Sequence, residues 1–176
     1  MEPLTDEQWT SLFQSCQRFA WHLETRDWYG VDDEKGRYAR FLATGHRDHQ
    51  AEAPERRHWL DLMRATTKAG KQVRRARIVC EPLSDYMRFS HAGTQPSTDA
   101  GEDIRWLPRR HASRIALPGN DFWLFDGERV LFNYFTGDGR SAGHELATDA
   151  GAVRLCQTAF EAVWAIATPH AHYNPI

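Results

Sequence analysis

Four consecutive apolar side chains, Phe122-Trp123-Leu124-Phe125, run directly into Asp126-Gly127, and this short block constrains the fold more than any other stretch. Successive side chains of a strand point to opposite faces, so an uninterrupted apolar run needs cover on both. Asp-Gly supplies the backbone of a tight hairpin turn, and Arg129 to Phe135 reads as the returning strand. The expectation is a central strand in a sheet with helices on both sides. A chain of 176 residues is long enough for one buried core, and 41% hydrophobic content with seven tryptophans excludes a disordered polymer.

Upstream the pattern is helical. Thr5-Asp6-Glu7-Gln8 reads as a capping box, after which Trp9, Leu12, Phe13, Cys16, Phe19 and Ala20 recur at helical spacing as one buried stripe. Trp21 to Gly30 loses that period and reads as an extended strand ending at Gly30. Asp32 or Asp33 is expected to cap a short helix stopped by Gly45, His46 to Ala53 to form a loop, and Pro54 to open a third helix that Gly70 ends. Gln72 to Glu81 reads as a strand closed by Pro82, which has no amide for a ladder, and Ser84 as the cap of a helix carrying Tyr86, Met87 and Phe89. Thr94 to Asp103 is rich in turn formers and reads as a loop, Ile104 to Leu107 as a short strand, and Pro108 to Arg114 as a basic loop. Gly137-Asp138-Gly139 turns the chain into a third meander strand near Ser141 to Leu146. Thr148 or Asp149 then caps a last helix burying Val153, Cys156, Phe160, Val163 and Trp164.

These elements predict a single α+β domain over 1–176, with a mostly helical part at 1–70 and a sheet-containing part at 71–176. The N-terminal helices pack on a mixed, mainly antiparallel sheet that ends in a meander and a closing helix.

Net charge is −2 and the pI is near 6.5, so no overall field draws the chain to nucleic acid or an anionic membrane. Of 22 cationic residues only Lys35, Lys68 and Lys71 are lysine, a skew that follows genome composition or serves arginine's bidentate grip. Cys16, Cys80 and Cys156 are odd in number and far apart, as small hydrophobes in a reducing compartment are. Met1 to Gln8 is acidic and polar, and no apolar run approaches the ~20 residues of a membrane helix. A cytoplasmic location without membrane contact is expected.

Familiar reaction signatures are missing. There is no H-E-x-x-H, no H-x-E with P-C-x-x-C, no G-x-S-x-G and no G-x-x-x-x-G-K-[ST]. His46 with His49 and His170 with His172 lack further ligands at zinc spacing, so neither a metal nor a cofactor is expected. His144-Glu145 reads as a base or as a solvated strand histidine. What remains is two groups at strand ends. Glu24, Arg26, Glu81, Asp85, Arg88, Asp121 and Trp123 form a ligand-binding set if their elements converge, with carboxylates and guanidiniums orienting a small polar ligand. The plainer account makes Asp121 and Asp126 turn residues and Asp85 with Arg88 an exposed pair at a helix start. Lys71, Arg74, Arg75, Arg77, Arg109 and Arg110 form the nucleic-acid set, with a solvated basic face as its alternative.

Phe19 to Gly30, Ala69-Gly70-Lys71, Glu81 to Phe89, Ala100 to Arg105 and Asp121 to Asp126, in that order, resemble an actinobacterial family, the domain-of-unknown-function family six-eight-seven-nine. That resemblance spans most of the chain. It implies a regulatory or accessory role, since members tend to be encoded beside helix-turn-helix regulators, and such a regulator is the expected partner. It supplies no catalytic residues. At fold level the element order also looks like half of a phospholipase-D-type domain, whose H-x-K motif has no counterpart here, implying a degenerate binding version. The expectation is therefore a non-enzymatic protein, with an enzyme using a carboxylate/arginine pocket or a nucleic-acid-binding module as alternatives.

Overall fold

The protein is described from a computed structural model over residues 4–30 and 34–175. Its elements run α1 (Asp6–Ser15), β1 (Phe19–Glu24), α2 (Lys35–Thr44), α3 (His49–Lys68), β2 (Gln72–Val79), α4 (Asp85–Ala92), α5 (Gln95–Asp99), β3 (Asp103–Pro108), β4 (Asp121–Phe125), β5 (Arg129–Phe135), β6 (Ser141–Ala147), α6 (Ala150–Ile166) and β7 (Thr168–Pro169). Short 3-10 turns follow at Arg109–Ala112 and His170–His172.

The seven strands form one sheet in the order β6-β5-β4-β1-β2-β3-β7. β1, β2 and β3 are parallel, and every other pairing is antiparallel, so the sheet is mixed and mainly antiparallel. β4 is buried at every position, as its unbroken apolar run requires. β1 to β2 to β3 steps in one direction, so two right-handed crossovers place α2 to α5 on the same face. The opposite face is left to α6. There Trp21, Leu23, Ala76, Ile78, Phe122, Leu124 and Val130 meet Val153, Cys156, Phe160, Val163 and Trp164, with the Trp21 and Phe160 rings stacked at 4.9 Å. The helical face is different. It holds two separate apolar clusters, one around Phe13, Met63, Val73 and Phe125 beneath α1 and α3, the other around Val79, Met87, Phe89 and Trp106 beneath α4.

Several boundaries differ from the sequence reading. The α1 stripe stops at Cys16, whose backbone is extended, and Phe19 and Ala20 begin β1. The amides of Gln17, Arg18 and Phe19 donate to the Asp126 carboxylate at 2.7, 2.7 and 3.0 Å, which gives the chain an alternative to continuing the helix. Asp126, in the left-handed region at φ 57°, is thus an anchor as well as a turn residue. β1 ends at Glu24 rather than at Gly30, because Thr25 turns its amide and hydroxyl to Asp121. The part before residue 70 therefore contributes the central strand.

The stretch read as a loop from His46 to Ala53 contains the start of α3, capped by Asp48, and Pro54 sits inside that helix at the expense of one hydrogen bond. Thr94 to Asp103 is folded. α5 occupies its middle, with Thr94, Ser97 and Glu102 buried and the Arg56 guanidinium donating to the Gly93 carbonyl and the Ser97 hydroxyl. Ser84 caps α4 and Asp149 caps α6. The proposed caps Asp32 and Asp33 lie outside the described residues.

Candidate functional site

Between the two clusters of the helical face lies a buried polar layer. Alternation along β1 sends Trp21 and Leu23 toward α6 and His22 and Glu24 toward the helical face, and the β1–β2 register sets His22 beside Arg75 and Glu24 beside Arg77. The Glu24 carboxylate accepts from Arg75 Nη1 and lies at 2.5 Å from Arg77 Nε. Arg75 Nε in turn donates at 2.7 Å to Glu102, whose side chain is fully buried. Two carboxylates and two guanidiniums balance, which offsets much of the cost of taking them out of water. Burial works to raise the Glu24 carboxyl, but Arg77 and Arg75 outweigh it and hold it at about 2.

His22 stacks on Trp123 with ring centres 4.2 Å apart, and burial pushes its imidazole well below the ordinary value, so it is neutral. Asn133 Nδ2 lies 3.4 Å from His22 Nε2, and Asn133 Oδ1 3.0 Å from His144 Nδ1. With the Asn133 amide as donor, His22 carries its proton on Nδ1, facing Glu24 at 3.5 Å, and His144 donates through Nδ1. Asp121, at the head of β4, accepts from the Thr25 amide and hydroxyl at 2.9 and 2.7 Å and from the Tyr29 hydroxyl. Burial raises the Asp121 carboxyl despite those donors, with Glu24 adding to the rise.

Of the seven ligand-binding candidates, Glu24, Asp121 and Trp123 therefore meet in this layer. Arg26 stands beside it, its amide donating to the Tyr29 hydroxyl and its guanidinium 5.1 Å from the Phe135 ring centre. Glu81 belongs to another group, accepting from the Tyr173 hydroxyl at 2.9 Å and pairing with Arg110 at 3.2 Å. Asp85 and Arg88 form an exposed pair at 3.5 Å on α4. Sequence reasoning missed His22, Glu102, Asn133 and Tyr29. The signal available was charge at alternate positions within apolar strands, in Trp21-His22-Leu23-Glu24 and Arg75-Ala76-Arg77-Ile78.

The basic residues are dispersed. Lys71 Nζ donates to the Phe13 and Gln14 carbonyls, Arg74 lies over Trp21 and Trp164 on the α6 face, and Arg75 and Arg77 belong to the polar layer. Arg109 donates to the Thr25 and Ile78 carbonyls, to Asp27 and to the Cys80 sulfur, leaving Arg110 as the most exposed of the six after its pair with Glu81. No single basic face results, because neighbouring strand residues point opposite ways. A cavity of about 330 Å³ opens at the ends of β2 and β3, lined by Cys80, Glu81, Pro108, Arg109, Arg110 and Ser113. A larger hollow of about 470 Å³ lies between the β4–β5 turn and α6, and none of the candidate residues lines it.

Residues 7–175 match the model of a domain of unknown function, DUF6879. The chain belongs to this family. No curated protein matches it. Among solved structures, Nuc from Salmonella typhimurium, a phospholipase D family member, is similar with a TM-score of 0.52 at 11% identity, covering 91% of this chain and 86% of that one. TrmBL2, an archaeal chromatin protein whose structure shows a novel mode of DNA binding, matches with a TM-score of 0.47 at 13% identity over 92% of this chain and 48% of its own. At such identities the first likeness is one of fold alone. Among the described residues no group of three or more histidine, cysteine or acidic side chains is placed to hold a metal ion, and no helix is long and apolar enough to cross a membrane.

Proposed function

We propose that this family member is a non-enzymatic cytoplasmic accessory or regulatory protein that works by binding. Its partner is a helix-turn-helix transcriptional regulator, as the family resemblance implies for actinobacteria, and its own ligand is a small polar molecule. The observation that carries the non-enzymatic half is the closure of the polar layer. Glu24 is held ionised between two guanidiniums, and His22 is neutral with Nδ1 toward Glu24 and Nε2 toward Asn133. A general base or nucleophile must reach a substrate, and these side chains are buried and face one another. The phospholipase-D-like fold does not argue otherwise, since no histidine here is followed two residues later by lysine.

One observation favours an enzyme instead. Glu24 is driven down and the nearby Asp121 up, and two carboxylates pushed apart are the usual arrangement of a base and an acid. Both readings meet in one experiment. The purified protein is assayed on bis-p-nitrophenyl phosphate beside His22→Ala and Asp121→Asn, and is used to capture partners from its native lysate. The binding reading expects equal background in all three and a helix-turn-helix protein in the eluate. Turnover that disappears in either variant, or a clean monomer without partner, overturns it.

A further inference from the structure

Where two neighbouring parallel strands continue to opposite faces of a sheet, their carboxyl ends part and leave a crevice. In this fold the divide falls between β2 and β3. β2 continues through Cys80 and Glu81 into α4, which packs on the helical face with Tyr86, Met87 and Phe89. β3 continues into the Arg109–Ala112 turn and places Ala112, Ile115 and Leu117 against the α6 face. The 330 Å³ cavity sits at this divide, with Cys80 and Glu81 on one wall and Pro108, Arg109, Arg110 and Ser113 on the other.

Its walls are prepared unequally for a ligand. Arg109 is structural: its guanidinium ties the Thr25 and Ile78 carbonyls and the Asp27 carboxylate together, and its Nε donates to the Cys80 sulfur at 3.2 Å. Glu81 is 93% buried by its side chain (7% exposed), and one of its oxygens accepts from the Tyr173 hydroxyl. Arg110 is 62% exposed, spends Nη1 on Glu81 and Nε on His111, and turns the rest of its fork outward. The one carboxylate in the cavity therefore has the Tyr173 hydrogen bond and the Arg110 ion pair. The Ser113 hydroxyl donates to the Arg110 carbonyl and the Cys80 amide to Asp27, so the donor left over is the remainder of the Arg110 guanidinium. A guanidinium fork of this kind matches the two oxygens of a carboxylate or phosphate.

We propose that this cavity is a binding site for the oxyanion group of a small molecule, a carboxylate or a phosphate, with Arg110 as its clamp. The inference rests on the small-ligand part of the function proposed above and names the chemistry of that ligand. The oxyanion shares Arg110 with Glu81, which keeps its bond to Tyr173. The ligand body then lies over Cys80, the one exposed cysteine beside the buried Cys16 and Cys156.

That placement supplies a reporter. Alkylation of Cys80 by iodoacetamide, a neutral reagent, is followed by peptide mass spectrometry in inorganic phosphate, in citrate, and in chloride at equal ionic strength. Saturable, several-fold slowing by phosphate or citrate and none by chloride is expected, and the anion that works tells the two sources apart. Arg110→Ala abolishes the protection. Should that variant fail to fold, Arg110→Lys keeps a cation beside Glu81 but loses the fork, and protection must still drop several-fold. Slowing that is equal in chloride, or unchanged in the folded Arg110 variants, overturns the proposal. Neither result bears on partner capture or on turnover, so the two readings fail separately.

Discussion

The face of the sheet under α6 has one continuous apolar core, with Arg74 and Arg105 laid over its Trp164 ring, whereas the face under α1, α3 and α4 is divided by Arg77, Glu24, Arg75 and Glu102. Burial of apolar area is non-directional and stabilises many arrangements nearly alike. Paired charges hold only one. A one-residue slip of β1 against β2 would carry His22 and Glu24 into the α6 face and break every ion pair in the layer, so the layer fixes the register that the apolar face tolerates loosely. The same pairing that specifies the fold removes free chemistry from it.

The largest effect expected from this contrast is on Glu24. Glu24→Ala leaves Arg75 and Arg77 buried without their shared partner and should cost about 3–5 kcal/mol in urea unfolding. Replacing Glu24, Arg75, Arg77 and Glu102 together by apolar residues of like volume should recover most of that loss, because no charge is then stranded. A loss under about 1 kcal/mol for Glu24→Ala would mean that the layer is wetter than its burial indicates, and the contrast between the faces would fall. The Glu24 carboxyl is depressed to about 2 from an ordinary value of 4.5, so its contribution is complete above about pH 4.5 and disappears as pH falls toward 2. Val163→Ala, on the other face, should cost about 2 kcal/mol for the two buried methyl groups and leave the pH profile unchanged.

How far the two faces could be read from sequence differs for the same reason. The α6 face was legible: Phe122 to Phe125 marked the buried strand, Asp126-Gly127 the hairpin, and Val153, Cys156, Phe160, Val163 and Trp164 the helix stripe, all local periodicities. Glu24, Asp121 and Trp123 were named as candidates, but their partners depended on strand register. In Arg74-Arg75-Ala76-Arg77 the first guanidinium faces Trp164 and the next faces Glu24, so a run that reads as one basic patch is split between faces. The end of α1 was equally out of reach, since helical spacing continues through Phe19 and Ala20. It is decided by Asp126, over 100 positions away.

A smaller effect sharpens the contrast through histidines. Burial lowers His22, His91, His144 and His170, the last to about 4. Each folded value lies below the unfolded one near 6.5, so the unfolded chain binds more protons below that pH. Stability is complete above about pH 6.5 and declines as pH falls from there. Trp106 Nε1 donates to His170 Nδ1 at 3.1 Å, a bond that a proton on that nitrogen removes. The melting temperature should drop between about pH 7 and about pH 5, and less steeply in His22→Asn. A flat profile in the native chain would show that these imidazoles meet water.

The smallest effect is expected at Asp85 and Arg88, which the sequence offered as part of a ligand site. Their side chains are 64% and 57% exposed and pair at 3.5 Å within the first turn of α4. Water screens such a pair, so Arg88→Ala should change stability by no more than about 0.5 kcal/mol. Asp85→Ala should cost slightly more, because its carboxylate also faces the free amides at the helix start. Anion protection of Cys80 should be the same in both variants, since neither residue lines that cavity. If Arg88→Ala weakened protection as strongly as Arg110→Ala, the site would have to extend from the strand ends across the first turn of α4, and the ligand would be larger than a 330 Å³ cavity admits.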